Sequence, residues 1–492
     1  MVLAEMTRVV LQTKYTDFRD EHIENVKDRM IDIVGCALGG AFASGNAAVV
    51  DLIGEWGGKE ESTILVYGHR VPSAHAAMVN AILCRSYDYE VCGPQPLGKA
   101  QHRMPGHVCA TTECAALAVA ESRHLGGKEL ISAAVLGGDL AVRIAITGAF
   151  SVEEGFDLTG TASAFGATAV AGRLLGLSSE QLLNAFGILV NEIAGSFQSI
   201  WDGAQSFKLP QGSGARNAIY SVELARRGVT GIKDALFGER AYFRQYCKGY
   251  HPEYLTEDLG TVFYTKGLHK AHPSCYGNHA AIEATLTVLH QHHVDVNEIA
   301  EIILHVSPEI ERGFLNQRFE PGDSAEKSLF NLPYAVANAL LRGRVKIEHY
   351  TMKFTQDPRV LELARKVRLM SVATGTGLGE TSITFAMNNG TRYSAPLQMP
   401  RGLTRAPLSR IELRKKFWDN YDYTRPISKD SAQLALGLLE NLEKVEDVGQ
   451  IVRLLMAPPT STQRRHFKTD LAIDPEEGPG RRTCCNSSTR IP

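Results

Sequence analysis

The sequence predicts a mainly α protein, a large all-helical domain with a smaller α+β domain inserted into it. Three observations carry this. Apolar residues recur at three- and four-residue steps from about residue 20 to residue 235. Strand-like runs gather between about residues 260 and 400, and helical periodicity returns after Pro400. The boundaries drawn from these changes are 1–262 for the first part of the helical domain, 263–401 for the α+β domain and 402–456 for the returning helices. Residues 457–492, polar and rich in Pro, Gly and Arg, are expected to be disordered.

The elements follow in order. Ile23, Val26, Met30, Ile33, Val34, Ala37 and Leu38 form one apolar stripe, and Gly39-Gly40 provide its end. Further helices are expected at 73–84, 108–122, 128–148, 159–175, 179–198 and 212–227. Several are rich in Ala, Gly, Ser and Thr, which lets helices cross closely. A helix at 278–293 precedes a strand at 298–307, and helices follow at 325–342 and 357–366. The segment ETSITFAM-NNG-TRYSAPLQ predicts a β-hairpin turning at Asn389-Gly390. Helices at 408–418, 428–440 and 446–456 complete the chain.

Composition excludes several function classes. With 52 Lys and Arg against 54 Asp and Glu the chain is almost neutral, which argues against a nucleic-acid binder. Nine scattered cysteines without a CxxC pair point to a reduced, intracellular protein without a zinc site. No leader peptide and no membrane span are predicted, because Asp139 and Arg143 break the most apolar run. Gly375-Thr376-Gly377-Leu378-Gly379 has the wrong spacing for a dinucleotide loop. His290-Gln291-His292-His293 is read as a solvated helix end rather than a metal site.

Four clusters could carry chemistry. Tyr87-Asp88-Tyr89-Glu90 is followed by His102-Arg103 and, before a helix, His107. Two acids, two imidazoles and a guanidinium fit either an acid/base and carboxylate-binding site or a salt-bridged surface loop. Lys208 stands in a Gly-rich stretch before a helix, as an anion site or as a solvated lysine. Lys270, Cys275 and His279 lie at the junction of the two domain types, where clefts form. Cys275 could be a nucleophile or a pocket wall, and His279 a pocket base or a core histidine. Asp157 is most simply an N-cap.

These clusters, in this order, resemble the MmgE/PrpD family, whose members include 2-methylcitrate dehydratases, cis-aconitate decarboxylases and an iminodisuccinate epimerase. The segments that carry the resemblance are MIDIVGCALGG, the acidic stretch ending at His107, GATAVAGRLLGLSSEQLLNAFGI, KLPQGSGARNAI, HPSCYGNHAAIEA and SLFNLPYAVANALL. The resemblance covers roughly residues 5–456. It implies a large all-helical domain with an α+β lid, usually a homodimer, no cofactor, and an active site between the domains; a cytoplasmic location and no metal are expected beside it. It makes Asp88 the first acidic residue, His107 the first catalytic histidine, and Lys208 and Lys270 the lysines for substrate carboxylates. The chain departs from the family pattern at Glu90-Val91, at Cys92, at His107-Val108-Cys109 and at Asp157, which stands where a second catalytic histidine is expected.

A cofactor-independent lyase for a citrate-like polycarboxylate follows as the expectation, most simply a 2-methylcitrate or alkylcitrate dehydratase. His107 and Asp88 would be the acid/base pair, with Asp157 or His102 in reserve. Lys208, Lys270 and Arg103 would bind carboxylates, with Cys275 and His279 lining the pocket. The absent second histidine counts against a cis-aconitate-type decarboxylase, the alternative, and motivates a third reading as a catalytically silent acid-binding paralogue. No nucleic-acid or membrane partner is expected.

Overall fold

A computed structural model describes residues 2–148, 155–372, 380–403 and 406–457. The glycine-rich stretch 375–379 and the polar tail from 458 onward lie outside the described residues. The long helices are α1 Val2–Gln12, α2 Asp20–Gly40, α3 Asn46–Trp56, α4 Ser73–Arg85, α5 Cys109–Ser122, α6 Gly127–Thr147, α7 Leu158–Leu174, α8 Ser179–Leu189, α9 Leu209–Arg226, α10 His279–Gln291, α11 Leu332–Arg342, α12 Arg410–Thr424 and α13 Lys429–Glu440. The strands are β1 Ser62–Thr63, β2 Arg70–Val71, β3 Cys92–Pro94, β4 Gly267–Leu268, β5 Ile299–Val306, β6 Val367–Ser371, β7 Thr381–Met387 and β8 Arg392–Gln398. The fold is mainly α.

The small residues do what their size suggests. A Cβ on Gly137 of α6 would stand 2.7 Å from the Gly166 carbonyl, and one on Gly166 of α7 would stand 2.5 Å from the Gly137 carbonyl. The two helices therefore touch backbone to backbone. Gly166→Ala is expected to destabilise the protein by about 1–3 kcal/mol through overpacking, although alanine favours a helix by about 1 kcal/mol. Urea unfolding measures the balance, and an unchanged midpoint would mean that α6 and α7 part freely.

Helix α6 is long and apolar enough to cross a membrane by length and composition, yet its apolar stretch is wholly buried inside the protein. The two charges that interrupt it organise the chain passing over it. Arg143 Nε bonds Asp139 Oδ2 at 2.8 Å, and its Nη atoms donate to the carbonyls of Glu257 (2.7 Å) and Val262 (2.9 Å). Asp139 Oδ1 accepts from Tyr264 N at 2.9 Å. The segment entering the α+β part is fixed this way.

The main sheet runs β6-β5-β7-β8, with β5 and β6 parallel and the other pairs antiparallel. The β7–β8 hairpin turns at Asn389-Gly390, with Gly390 at φ +85° and Met387 N bonded to the Thr391 carbonyl at 2.9 Å. Ile302, Leu304, Ile383 and Phe385 build a second core with Tyr334 and Leu340. Tyr87, Tyr89 and Phe207 from the helical part join that core.

Three expectations change. The helix expected at 325–342 is split into Ala325–Leu329 and α11. Asn331 caps α11 by accepting from Tyr334 N at 2.8 Å, and Pro333 tolerates only the first turn. The helix expected at 179–198 stops at Leu189. Residues 194–195 must instead lie against α7, where a Cβ on Gly160 would meet the Ala194 carbonyl at 2.6 Å and Asp157 N bonds the Gly195 carbonyl at 3.1 Å. Helices α1 and α3 are additions to the expected set. Helix α10 ends at Gln291, and His290, His292 and His293 are exposed.

Candidate active site

Helix α4 ends on Arg85, and the chain turns sharply out of it. Asp88 N bonds the Arg85 carbonyl at 3.0 Å, and Asp88 adopts φ +47°, a left-handed conformation that aspartate tolerates better than most residues. Tyr87 and Tyr89 pack into the second core. Strand β3 follows and pairs antiparallel with β4, which sets the 88–92 segment beside Lys270. The loop after β3 returns through Gly106 (φ +76°), whose carbonyl accepts from Gly93 N at 2.7 Å, and delivers His107 just before α5.

Five groups meet there. His107 Nδ1 is 2.7 Å from Glu90 Oε1, and its Nε2 is 3.5 Å from Asp88 Oδ1. Lys270 Nζ lies 3.0 Å from Asp88 Oδ1 and donates to the Asp88 carbonyl at 2.6 Å. Arg85 Nη1 pairs with Asp88 and lies 3.2 Å from Glu90 Oε1. Its guanidinium also sits over the Phe207 ring, 5.4 Å from the centroid. Two cations thus balance two carboxylates. All four are buried, and His107, with a side chain 16% exposed, is the member that reaches the surface.

The electrostatics fix the proton positions. Burial alone would raise the Glu90 carboxyl, but the Arg85 charge and the hydrogen bond from His107 outweigh it and hold Glu90 well below the usual carboxylate range. Burial, with Arg85 and Lys270 adding to it, pushes His107 down to about 3. The imidazole is therefore neutral at pH 7, and its one proton sits on Nδ1, facing the ionised Glu90. Nε2 keeps its lone pair, which suits its longer separation from Asp88. Burial lowers Lys270 as well. Cys92, with Sγ 3.9 Å from His107 Nδ1, is pushed up to about 11 by burial and stays a thiol. Asp88, Glu90 and His107 offer three ligand atoms within 4.8 Å of one another. Arg85 and Lys270 already occupy that space with positive charge, so the donor set does not suit a metal cation.

The structure brings His107, Asp88 and Lys270 together, and adds two groups absent from the expected catalytic and binding set, Arg85 and Glu90. A visible signal for Arg85 was its i,i+3 spacing to Asp88 at a helix end. Lys208 stands on a different contact, donating to the Ser44 carbonyl at 2.5 Å. It is buried, and among the described residues no carboxylate lies within ion-pair distance of it. Burial pushes it down to about 8.

The remaining expected residues sort by their contacts. Arg103 stands on contacts of its own: Nη1 donates to the carbonyls of Ile146 (2.9 Å) and Gly148 (3.3 Å) at the end of α6, and the guanidinium lies over Tyr254. His102 is exposed on the loop and stands outside the buried cluster. Asp157 is buried as the N-cap of α7, accepting from Thr159 N at 2.9 Å, and burial raises its carboxyl against the pull of Arg85. Cys275 is half-buried, with a thiol raised by burial, so it is no ready nucleophile. His279 is fully buried, stacked on Tyr276 and edge-on to His272, and burial holds it neutral.

Residues 4–255 match the family model described as the MmgE/PrpD N-terminal domain, and residues 272–440 match the MmgE/PrpD C-terminal domain. A cis-aconitate decarboxylase of Mus musculus is 23% identical, with 82% of this chain and 83% of that protein covered. A cis-aconitate decarboxylase-like protein of Aspergillus oryzae is 23% identical over 92% of this chain and 97% of its own. A cis-aconitate decarboxylase of Aspergillus terreus is 22% identical over 90% and 93%.

Proposed function

The chain belongs to the MmgE/PrpD family, and we propose that it is a cofactor-independent lyase for a citrate-like polycarboxylate, a 2-methylcitrate or alkylcitrate dehydratase working as a cytoplasmic homodimer. One observation carries the reading. His107 is a neutral imidazole oriented by ionised Glu90, at the open edge of a cluster holding two buried cations.

The chemistry follows from that arrangement. Dehydration removes a proton next to a carboxylate and expels a hydroxyl. His107 Nε2 carries the free lone pair and takes the proton. Negative charge then builds on the substrate carboxylate, where ammonium groups stabilise it. The family resemblance makes Lys208 one of them; it is buried, donates to the Ser44 carbonyl, and forms no ion pair with a carboxylate among the described residues. Lys270 supplies another beside Asp88, and because burial makes it more acidic, the Lys270–Asp88 pair is the proton source for the leaving hydroxyl. Asp157 engaged as an N-cap favours dehydration over decarboxylation in this reading. Decarboxylation of cis-aconitate is the second reading, favoured by the names of the relatives.

A panel of tricarboxylates tests this. Turnover of 2-methylcitrate is expected to yield an alkene absorbing in the ultraviolet without gas release, whereas carbon dioxide from cis-aconitate would move the assignment to the second reading. Binding at a hundredfold excess over Kd is expected to stabilise the fold by about 2.7 kcal/mol. Stabilisation without turnover would mark a silent acid-binding paralogue. Neither turnover nor a thermal shift with any member would end the lyase reading.

A further inference from the structure

Asp32, buried in α2, holds three separate pieces of the chain. Its Oδ1 accepts from Val91 N at 3.0 Å. Its Oδ2 accepts from His269 Nδ1 at 2.9 Å and from Lys416 Nζ at 2.8 Å. Lys416, in α12, also donates to the Tyr89 carbonyl at 2.7 Å and lies 4.0 Å from the centroid of the Tyr89 ring. Burial alone would raise the Asp32 carboxyl, but Lys416 and His269 outweigh it and keep it ionised.

The sequence neighbours of these contacts matter. Tyr89 and Val91 flank Glu90, and His269 precedes Lys270. Lys416 on the Tyr89 carbonyl and Asp32 on the Val91 N–H fix the two peptide groups that flank Glu90, and so set where its side chain stands. His269, bonded to Asp32 through its side chain, holds the chain next to Lys270 in the same way.

We propose that Asp32 and Lys416 are positioning residues that, through Tyr89, Val91 and His269, hold Glu90 and Lys270 in register with His107. The proposal rests on the lyase reading for its kinetic consequence alone. A charged pair closed by the returning α12 thus completes the site from outside it.

Three variants test this: Lys416→Gln, Lys416→Arg and His269→Gln. Displacing a reacting group by about 1 Å costs on the order of 100-fold. Lys416→Gln is expected to lower kcat by roughly 10–100-fold with KM changed far less, and Lys416→Arg to recover most of the loss. The second readout needs no substrate. Nitrogen-15 shifts of His107 should show one tautomer, protonated on Nδ1, in the native protein and a mixture in Lys416→Gln. If Lys416→Gln does not fold, His269→Gln carries both measurements. A native protein inactive on the whole panel removes the lyase reading, and the tautomer measurement then decides the proposal by itself. Native-like kcat and an unmixed tautomer in the folded variant would overturn it.

Discussion

His107→Gln is expected to lower turnover by roughly 10²–10⁴-fold, the usual contribution of a positioned general base. Glutamine keeps a polar side chain opposite Glu90 but has no lone pair of comparable basicity. The same variant has a second signature, in stability. The folded value of His107, about 3, lies below its unfolded value of about 6.5. Between those values the unfolded chain binds a proton that the folded protein refuses. Stability from this group is therefore complete above pH 6.5 and declines as pH falls, by up to about 1.4 kcal/mol per unit. Glu90 adds its own acid-dependent loss only below its ordinary range, so the clean window is about pH 6.5 to 4.5. In that window denaturant unfolding should show a shallower decline in His107→Gln than in the native protein. Equal slopes would mean that His107 is not held neutral by its surroundings. Unchanged turnover would remove it from the chemistry.

His107 was legible in the sequence because it closes a polar loop before a helix, and Asp88 because it stands in an acidic run after one. Most of the helices were legible for a related reason. Burial of one face leaves a period of about 3.6 residues in the sequence, as in Ile23 to Leu38. Periodicity tells which face is buried but not what covers it. The buried partners that decide the site come from far along the chain. Asp32 meets Lys416 across 384 residues and His269 across 237. No local spacing encodes such pairs. Arg85 ends an apolar helix, where a cation normally complements the helix dipole, so its sequence context alone does not mark it as part of a site. Arg103 shows the converse. A guanidinium among histidines suggested an anion site, whereas the carbonyls at the end of α6 were the nearer acceptors. Loop composition shows that charge is present, and tertiary packing decides which acceptors use it.

Glu113 is where the largest loss of stability is expected. Its carboxylate, on α5, lies 2.9 Å from Arg29 Nε of α2, and both side chains are fully buried. Thr112 Oγ1 donates to the same carboxylate, and Arg29 Nη2 donates to the Ala134 carbonyl of α6 at 3.1 Å. Three helices meet at this pair, and α5 begins two residues after His107. Burial raises the Glu113 carboxyl while Arg29 opposes the rise, so the charge on one depends on the other. A buried pair adds little over a well-packed apolar pair, because both ions lose their hydration. Removing one partner is different, since the other is left charged in the interior. Glu113→Leu is therefore expected to cost about 3–5 kcal/mol, and Arg29→Met combined with Glu113→Leu to cost clearly less than the single change. A double-mutant cycle in urea separates the two explanations. If the pair itself supplied the stability, the double variant would be as weak as the single one. If the penalty is the stranded guanidinium, deleting Arg29 as well relieves it. A loss below about 1 kcal/mol for Glu113→Leu would place Arg29 in reach of water or other acceptors, and the three-helix junction would then owe its cohesion to apolar packing.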